Sequence, residues 1–215
     1  MATSYAYLYV TDTLADWEIG YLTAELDSGR YFAESGARMP VRTAGLSLDP
    51  VTTKGGLRLV PDTTVDRITA EDAGVLILPG GDTWLEPVHD PVLAKAVELL
   101  EARVPVAAVC GATMALANAG LLNERPHTSN NLGALQALCP GYEGEDHFRG
   151  EPAVTDGDLI TASGVAPLHF AKAVLARLGV FSETALDAWF RLNAEQEESA
   201  YFELMGSLPQ PATAH

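Results

Sequence analysis

VPVAAVCGATMALANAGLL, residues 104–122, passes from small and β-branched apolar residues into a helix-forming segment with no polar break between them. VPVAAV (104–109) reads as a strand buried on both faces, because a continuous apolar run of this length suits a parallel strand covered from either side. Residues 111–119 fit a helix, and Gly120 offers its stop. Cys110 and Gly111 form the junction. A strand handing over directly to a helix is part of a βα unit, so this stretch predicts a parallel sheet with helices on its faces.

The rest of the chain repeats the alternation. YAYLYV (5–10), MPVRTAG (39–45) and GVLILPGG (74–81) read as strands, and HTSN (127–130) as a short one. VTTKGGLRLV (51–60) and PAVTDGDLITAS (152–163) read as strand pairs turning at Gly55–Gly56 and Asp156–Gly157. Helices are expected from Asp16 to Leu26 with Gly29 as stop, and over 90–104 with Asp90 as cap and Pro91 first. Others are expected just before Pro140, over 166–179 ending at Gly179, and through most of 182–206. Neither a repeat nor a Pro-, Gly- or Ser-rich linker divides the chain. The expectation is one α/β domain over residues 1–205, with 206–215 as a frayed tail.

The 215 residues suffice for one large core, and 47% of them are hydrophobic without approaching an uninterrupted membrane span. A net charge of −16 excludes a phosphate-binding nucleic-acid surface and an anionic membrane patch, both of which need concentrated Lys and Arg. The acidic AEQEES (194–199) reads as a solvated helix face. MATSYAYLYV lacks the basic, apolar and small-residue order of a secretory leader, and two cysteines make no disulfide framework. Together these suggest a reducing, cytoplasmic setting. His89 and His147 stand apart from metal-ligand spacing, and CxxC, HExxH, GxGxxG and P-loop patterns are missing, so neither a metal nor another cofactor is expected.

In an open parallel sheet ligands bind beyond the carboxyl ends of the strands. Three ends can be located: the turn leading to Asp16–Glu18, LPGGDTW (78–84), and VCGAT (109–113). At the third, the unpaired amides of a helix start would stabilise a thiolate and lower the Cys110 pKa. The Gly111 amide is free to face an oxyanion, and Gly80 and Gly81 allow a second backbone to approach, whose amides could complete that oxyanion hole. Taken alone, Cys110 could equally be a small core hydrophobe, and Glu18 an exposed first-turn glutamate favoured by the helix dipole. Cys139 reads as structural. Trp17 and Trp84 either wall a small-molecule pocket or belong to the core.

These motifs together resemble the ThiJ/PfpI superfamily. LILPGG (76–81) is similar to its strand and glycine turn, and 104–122 to its cysteine elbow and helix. DWEI (16–19) falls where the family carries a glutamate facing the cysteine, and DGDLITASG with the helix after it resembles the closing strand and helix. RPHTSN (125–130) resembles the type 1 glutamine amidotransferase-like branch. The resemblance implies a flavodoxin-like three-layer α/β sandwich with a mostly parallel central sheet, usually dimeric, and an apolar face in LDAWF (186–190) could pair two copies. It assigns Cys110 as the reactive residue and Glu18 as a protonated carboxyl that donates a hydrogen bond to the thiolate. The physics agrees, since two anions in contact repel and a buried acid keeps its proton.

The pattern departs from the family at the residue after the cysteine, where protease-like and glyoxalase-like branches carry histidine and this chain has Gly111. His127 reads as an active-site member or a rim histidine, and Ser129 sits nearer the matching strand position, on the same face if 127–130 is a strand. PLHFAK (167–172) replaces the late His-x-Glu of true glutamine amidotransferases, which makes glutaminase activity unexpected. The sequence therefore points to a cysteine-dependent enzyme for a small carbonyl or amide compound, of hydrolase or glyoxalase-like type. Gly81 and Gly111 would hold the oxyanion, and Glu18 or His127 would move protons. The alternative is a stress sensor in which an oxidant converts Cys110 to a sulfinic acid. A binding module that kept the fold and lost the chemistry is the third reading.

Overall fold

The computed structural model describes residues 4–209. Its sheet has seven strands in the order β5-β2-β1-β6-β7-β9-β8. These are β1 (Tyr5–Tyr9), β2 (Val41–Gly45), β5 (Thr63–Thr64), β6 (Ala73–Leu78), β7 (Val106–Val109), β8 (Ala153–Asp156) and β9 (Leu159–Ala162), while β3 (Val51–Thr52) and β4 (Arg58–Leu59) form a separate antiparallel hairpin. All pairings in the large sheet are parallel except β8 with β9, which turn tightly at Gly157 with φ +57°.

Period-two alternation sends each strand into both cores. Ala6 and Leu8, Val75 and Ile77, Ala107 and Val109, and Ile160 and Ala162 face one cluster. Tyr7 and Tyr9, Leu76 and Leu78, Val106 and Ala108, and Leu159 face the other. Helices α1 (Asp16–Ser28), α5 (Pro167–Leu178), α6 (Glu183–Phe190) and α7 (Ser199–Gly206) cover the first face. Helices α2 (Asp90–Glu101), α3 (Gly111–Asn118) and α4 (Leu132–Leu138) cover the second. The continuous apolar runs predicted this parallel sheet covered on both faces, and the resemblance implied its flavodoxin-like three-layer form.

The structure corrects four local expectations. Residues 127–130 form no strand: His127 makes one isolated bridge with Phe148, and the Thr128 N–H goes to a side chain, Thr161 Oγ1, at 2.9 Å. The C-terminal helix is broken, with a π turn over Arg191–Glu195 and Gln196 in the left-handed region at φ +57°. AEQEES is therefore a helix break and not a solvated helix face, and Glu197 accepts from Arg191 there at 2.9 Å. The LDAWF face is spent inside the chain, where Leu186, Trp189 and Phe190 are buried in the first core. Of the expected tail, Gly206 ends α7 and the Ser207 N–H bonds the Glu203 carbonyl at 3.0 Å, while 210–215 lie outside the described residues.

Candidate active site

Cys110 occupies the one-residue link between β7 and α3 with φ +58° and ψ −122°. A side chain with a Cβ is strained there by about 1–3 kcal/mol, and the backbone is held against it. The Cys110 N–H donates to the Ala162 carbonyl at 3.0 Å, and the Cys110 carbonyl accepts from Thr113 N–H at 3.1 Å and Thr113 Oγ1 at 2.6 Å. Thr113 Oγ1 is also 2.6 Å from Ser129 Oγ, so Ser129 braces the elbow from behind and makes no hydrogen bond to the sulphur.

Glu18 comes from the first turn of α1, which is tied to the glycine turn by the Ala15 N–H bond to the Gly80 carbonyl at 3.0 Å. It is fully buried, not the exposed helix glutamate the sequence also allowed. The Gly80 N–H donates to Oε2 at 2.6 Å, so this amide is spent on Glu18 and is not the oxyanion donor the sequence suggested, while Oε1 is buried with no hydrogen-bond partner. Oε1 faces the thiol across a space too small for a methyl group. A Cβ added to Gly164 would lie 2.7 Å from Glu18 Oε1 and 2.8 Å from Cys110 Sγ, and one added to Gly80 would lie 2.6 Å from Oε2 and 2.8 Å from Cys110 Cβ.

Burial raises the Glu18 pKa, and the Gly80 amide opposes this only in part. Burial also pushes the Cys110 thiol up, against the sequence expectation of a lowered value. The helix-start amide of Gly111 does pull it down, as does Asn130, whose Nδ2 donates to Sγ at 3.2 Å. Desolvation and a charged Glu18 outweigh them. Two adjacent acids that each resist ionisation titrate as one coupled pair.

The other expected residues separate. Trp17 is half exposed at the mouth and donates from Nε1 to the Gly164 carbonyl at 3.0 Å. Trp84 is a core residue: it is buried, donates to the Pro79 carbonyl at 2.7 Å, and stacks on buried His89 with centroids 4.7 Å apart. It backs Gly81 and Gly111, and the cavity it borders, with Leu85, Leu93 and Ala115, includes neither Cys110 nor Glu18; a Cβ on Gly111 would meet Trp84 Cδ1 at 3.0 Å and Gly81 nitrogen at 3.4 Å. His127 is buried away from the thiol's polar partners, with Nδ1 2.8 Å from the Arg125 carbonyl and Nε2 2.8 Å from Tyr142 Oη. Both ring nitrogens are thereby committed. Cys139 is buried under α3 and donates to the Met114 carbonyl at 3.4 Å. His147 and His169 make no hydrogen bond to Cys110 or Glu18. Among the described residues no group of three or more His, Cys, Asp or Glu is placed to hold a metal ion, and no helix is long and apolar enough to cross a membrane.

Sequence reasoning missed Asn130 and Gly164. Asn130 Oδ1 accepts from Gly164 N–H at 2.8 Å, so one amide binds the sulphur and the loop after β9 together. Gly164 follows a parallel strand's carboxyl end, and the strand-end rule applied to β9 would have found it. Beside Asn130 opens a cavity of about 560 Å³ lined by Ser163, Val165, His169, Phe148 and Leu132 among others.

Comparison with known proteins identifies the family of the chain. The DJ-1/PfpI family model matches residues 4–177. Uncharacterized protease YoaZ of Bacillus subtilis is 47% identical over 208 residues, covering 97% of this chain and 99% of that protein. The crystal structure of a thiJ/pfpI family protein from Bacillus anthracis is 48% identical with a TM-score of 0.93, covering 98% of this chain and 99% of the other. A DJ-1 superfamily protein from Agrobacterium tumefaciens is 32% identical with a TM-score of 0.78, covering 90% and 98%. With its elbow cysteine, its buried glutamate and these relatives, the chain belongs to the DJ-1/PfpI family.

Proposed function

We propose that the protein is a cysteine-dependent enzyme for small carbonyl or amide compounds. The observation that carries this is the buried Glu18 Oε1, orphaned unless it holds a proton and donates it to the Cys110 sulphur. A neutral carboxyl satisfies both atoms, whereas an ionised one leaves an unpaired charge in the core. In the reaction the Cys110 thiolate attacks the carbonyl carbon, forming a C–S bond while the carbonyl π pair moves onto oxygen. The Gly81 and Gly111 amides hold that oxyanion. In an amide substrate the C–N bond then breaks, the amine leaves with the Glu18 proton, and water hydrolyses the thioester. His127 takes no part, both its nitrogens being engaged. The names of the Bacillus subtilis relatives, both called proteases, favour hydrolysis. Screening amides, thioesters and 2-oxoaldehydes against wild type and Cys110→Ser tests the reading; full turnover by the serine variant on an accepted substrate would sink it.

A second reading is an oxidant sensor in the same pocket, favoured by thiol partners that are Asn130 and Glu18 with no histidine among them. Two equivalents of peroxide would take the thiol to a sulfinic acid and release two of water. Intact-mass analysis after graded peroxide tests it, and oxidation at Cys139 before Cys110 would count against it.

The buried acid has a stability signature. Because its folded pKa is raised, Glu18 leaves stability intact below the unfolded value of 4.5 and erodes it as pH climbs through the folded value. Glu18→Gln, neutral throughout, is expected to gain on wild type in thermal midpoint as pH rises from about 4.5 to 8. A gap that stays constant with pH would show that Glu18 is not held protonated.

A further inference from the structure

Against the glycine turn that holds Glu18 lies a cation that the chemistry above does not use. Lys54 sits in the turn of the β3–β4 hairpin, which is fastened to the segment 12–16 by four bonds. The Lys54 N–H donates to the Leu14 carbonyl at 2.8 Å, the Gly55 N–H to Asp16 Oδ2 at 2.6 Å, the Thr52 N–H to Asp12 Oδ1 at 2.8 Å, and the Thr13 N–H to the Thr52 carbonyl at 2.9 Å. Its Nζ lies 2.6 Å from Asp82 Oδ1. Asp82 directly follows Gly80–Gly81, and its own N–H is fixed by Thr13 Oγ1 at 2.8 Å. The Lys54–Asp82 pair thus spans from the hairpin to the glycine turn that holds Glu18. The ammonium is stabilised first by Asp82, and also by the charges of Cys110 and Glu18, and Asp82 ties it to the turn whose Gly80 amide holds Glu18. The nearby acids are otherwise engaged, Asp12 with the Thr52 N–H and Asp16 with Gly55.

Both partners of the pair are solvent-exposed, at 40% and 62% of the side chain. An exposed pair of this kind is worth little and exchanges readily. We infer that Lys54 selects anionic substrates, namely small compounds that carry a carboxylate beside the electrophilic carbon. The substrate carboxylate replaces Asp82 on the ammonium while its neighbouring carbon meets the Cys110 sulphur. Asp82 is then an internal stand-in for the substrate's charge, and in a protein of net charge −16 this local cation offsets a general repulsion of anions. The inference rests on the proposed reactivity of Cys110.

Iodoacetate and iodoacetamide test it, since they differ in charge and react alike, the thiolate displacing iodide. Any change in thiolate fraction multiplies both rates equally and cancels in their ratio. The iodoacetate-to-iodoacetamide ratio at Cys110 is expected to fall about three- to tenfold in Lys54→Gln and further in Lys54→Glu. It should rise in Asp82→Asn, which frees the ammonium, and these differences should shrink as salt is raised. A ratio that is the same in all four proteins overturns the role of Lys54 alone. Failure of both reagents to modify Cys110 in the wild type overturns the proposed function as well.

Discussion

Gly164→Ala is expected to slow alkylation of Cys110 by about tenfold or more and to cost about 1–3 kcal/mol of stability, the usual penalty of forcing a methyl into a filled space. The new carbon would sit 2.7 Å from Glu18 Oε1 and 2.8 Å from both Cβ and Sγ of Cys110. None of these neighbours can give way cheaply. Cys110 Cβ rides on a backbone already held at φ +58°, and Glu18 is anchored by the Gly80 amide. The methyl therefore separates carboxyl from sulphur, and with them the proton that makes the thiolate tolerable. A Cβ on Gly80 would crowd the same pair, so Gly80→Ala should act in the same direction. Gly150→Ala, with nothing within 4 Å, is the control. Denaturant titration and iodoacetamide kinetics on the three variants check this, and a wild-type alkylation rate in Gly164→Ala would mean that carboxyl and thiol need not touch.

Trp189→Ala should be the most damaging change for stability, at about 3–5 kcal/mol. The indole is fully buried where α6 meets α1, edge-on to Phe181 with centroids 6.4 Å apart, and its Nε1 donates to Glu25 Oε1 at 3.0 Å. Glu25 is also buried, and accepts two further bonds from Arg30, Nε on Oε2 at 2.8 Å and Nη2 on Oε1 at 2.5 Å. Truncation therefore opens a cavity and strips a donor from a buried carboxylate. Trp189→Phe keeps most of the volume and loses only the donor, so it should cost about 1–3 kcal/mol. Equal losses for the two variants would assign the whole effect to the hydrogen bond and contradict the cavity account.

The parts of this fold legible in the sequence are those governed by local rules. Apolar runs that stop at glycine gave β6, β7 and the elbow, and Gly29, Gly157 and Gly179 mark the turns and helix ends they were expected to mark. The edge strand Thr63–Thr64 was invisible because two polar residues at a sheet edge carry no periodicity. Strand alternation grouped His127 with Ser129, but 127–130 is not a strand, so alternation does not apply. Asn130 turns to the sulphur, Ser129 to Thr113 and His127 to Tyr142. The two tryptophans near the mouth look alike in sequence. Only tertiary packing separates Trp17 at the rim from Trp84 against His89. The sign of the thiol's shift was missed for the same reason: a helix start can be read from local sequence, while burial of Glu18 and Cys110 depends on loops distant in the chain.

The pH profile of iodoacetamide modification at Cys110 and Cys139, read by mass spectrometry in wild type and Glu18→Gln, tests the shared proton most directly. The coupled pair predicts two steps for wild-type Cys110. The first lies above the ordinary carboxyl range because burial raises Glu18, its height set by how often the remaining proton sits on Glu18. The second lies above the free-thiol value of roughly 8.5, where the buried thiol must ionise beside a charged carboxylate. Glu18→Gln should leave a single step below wild type's second, and Cys139, raised by burial alone, should react only at higher pH. A single step at or above the free-thiol value for Cys110 in both proteins would contradict the account.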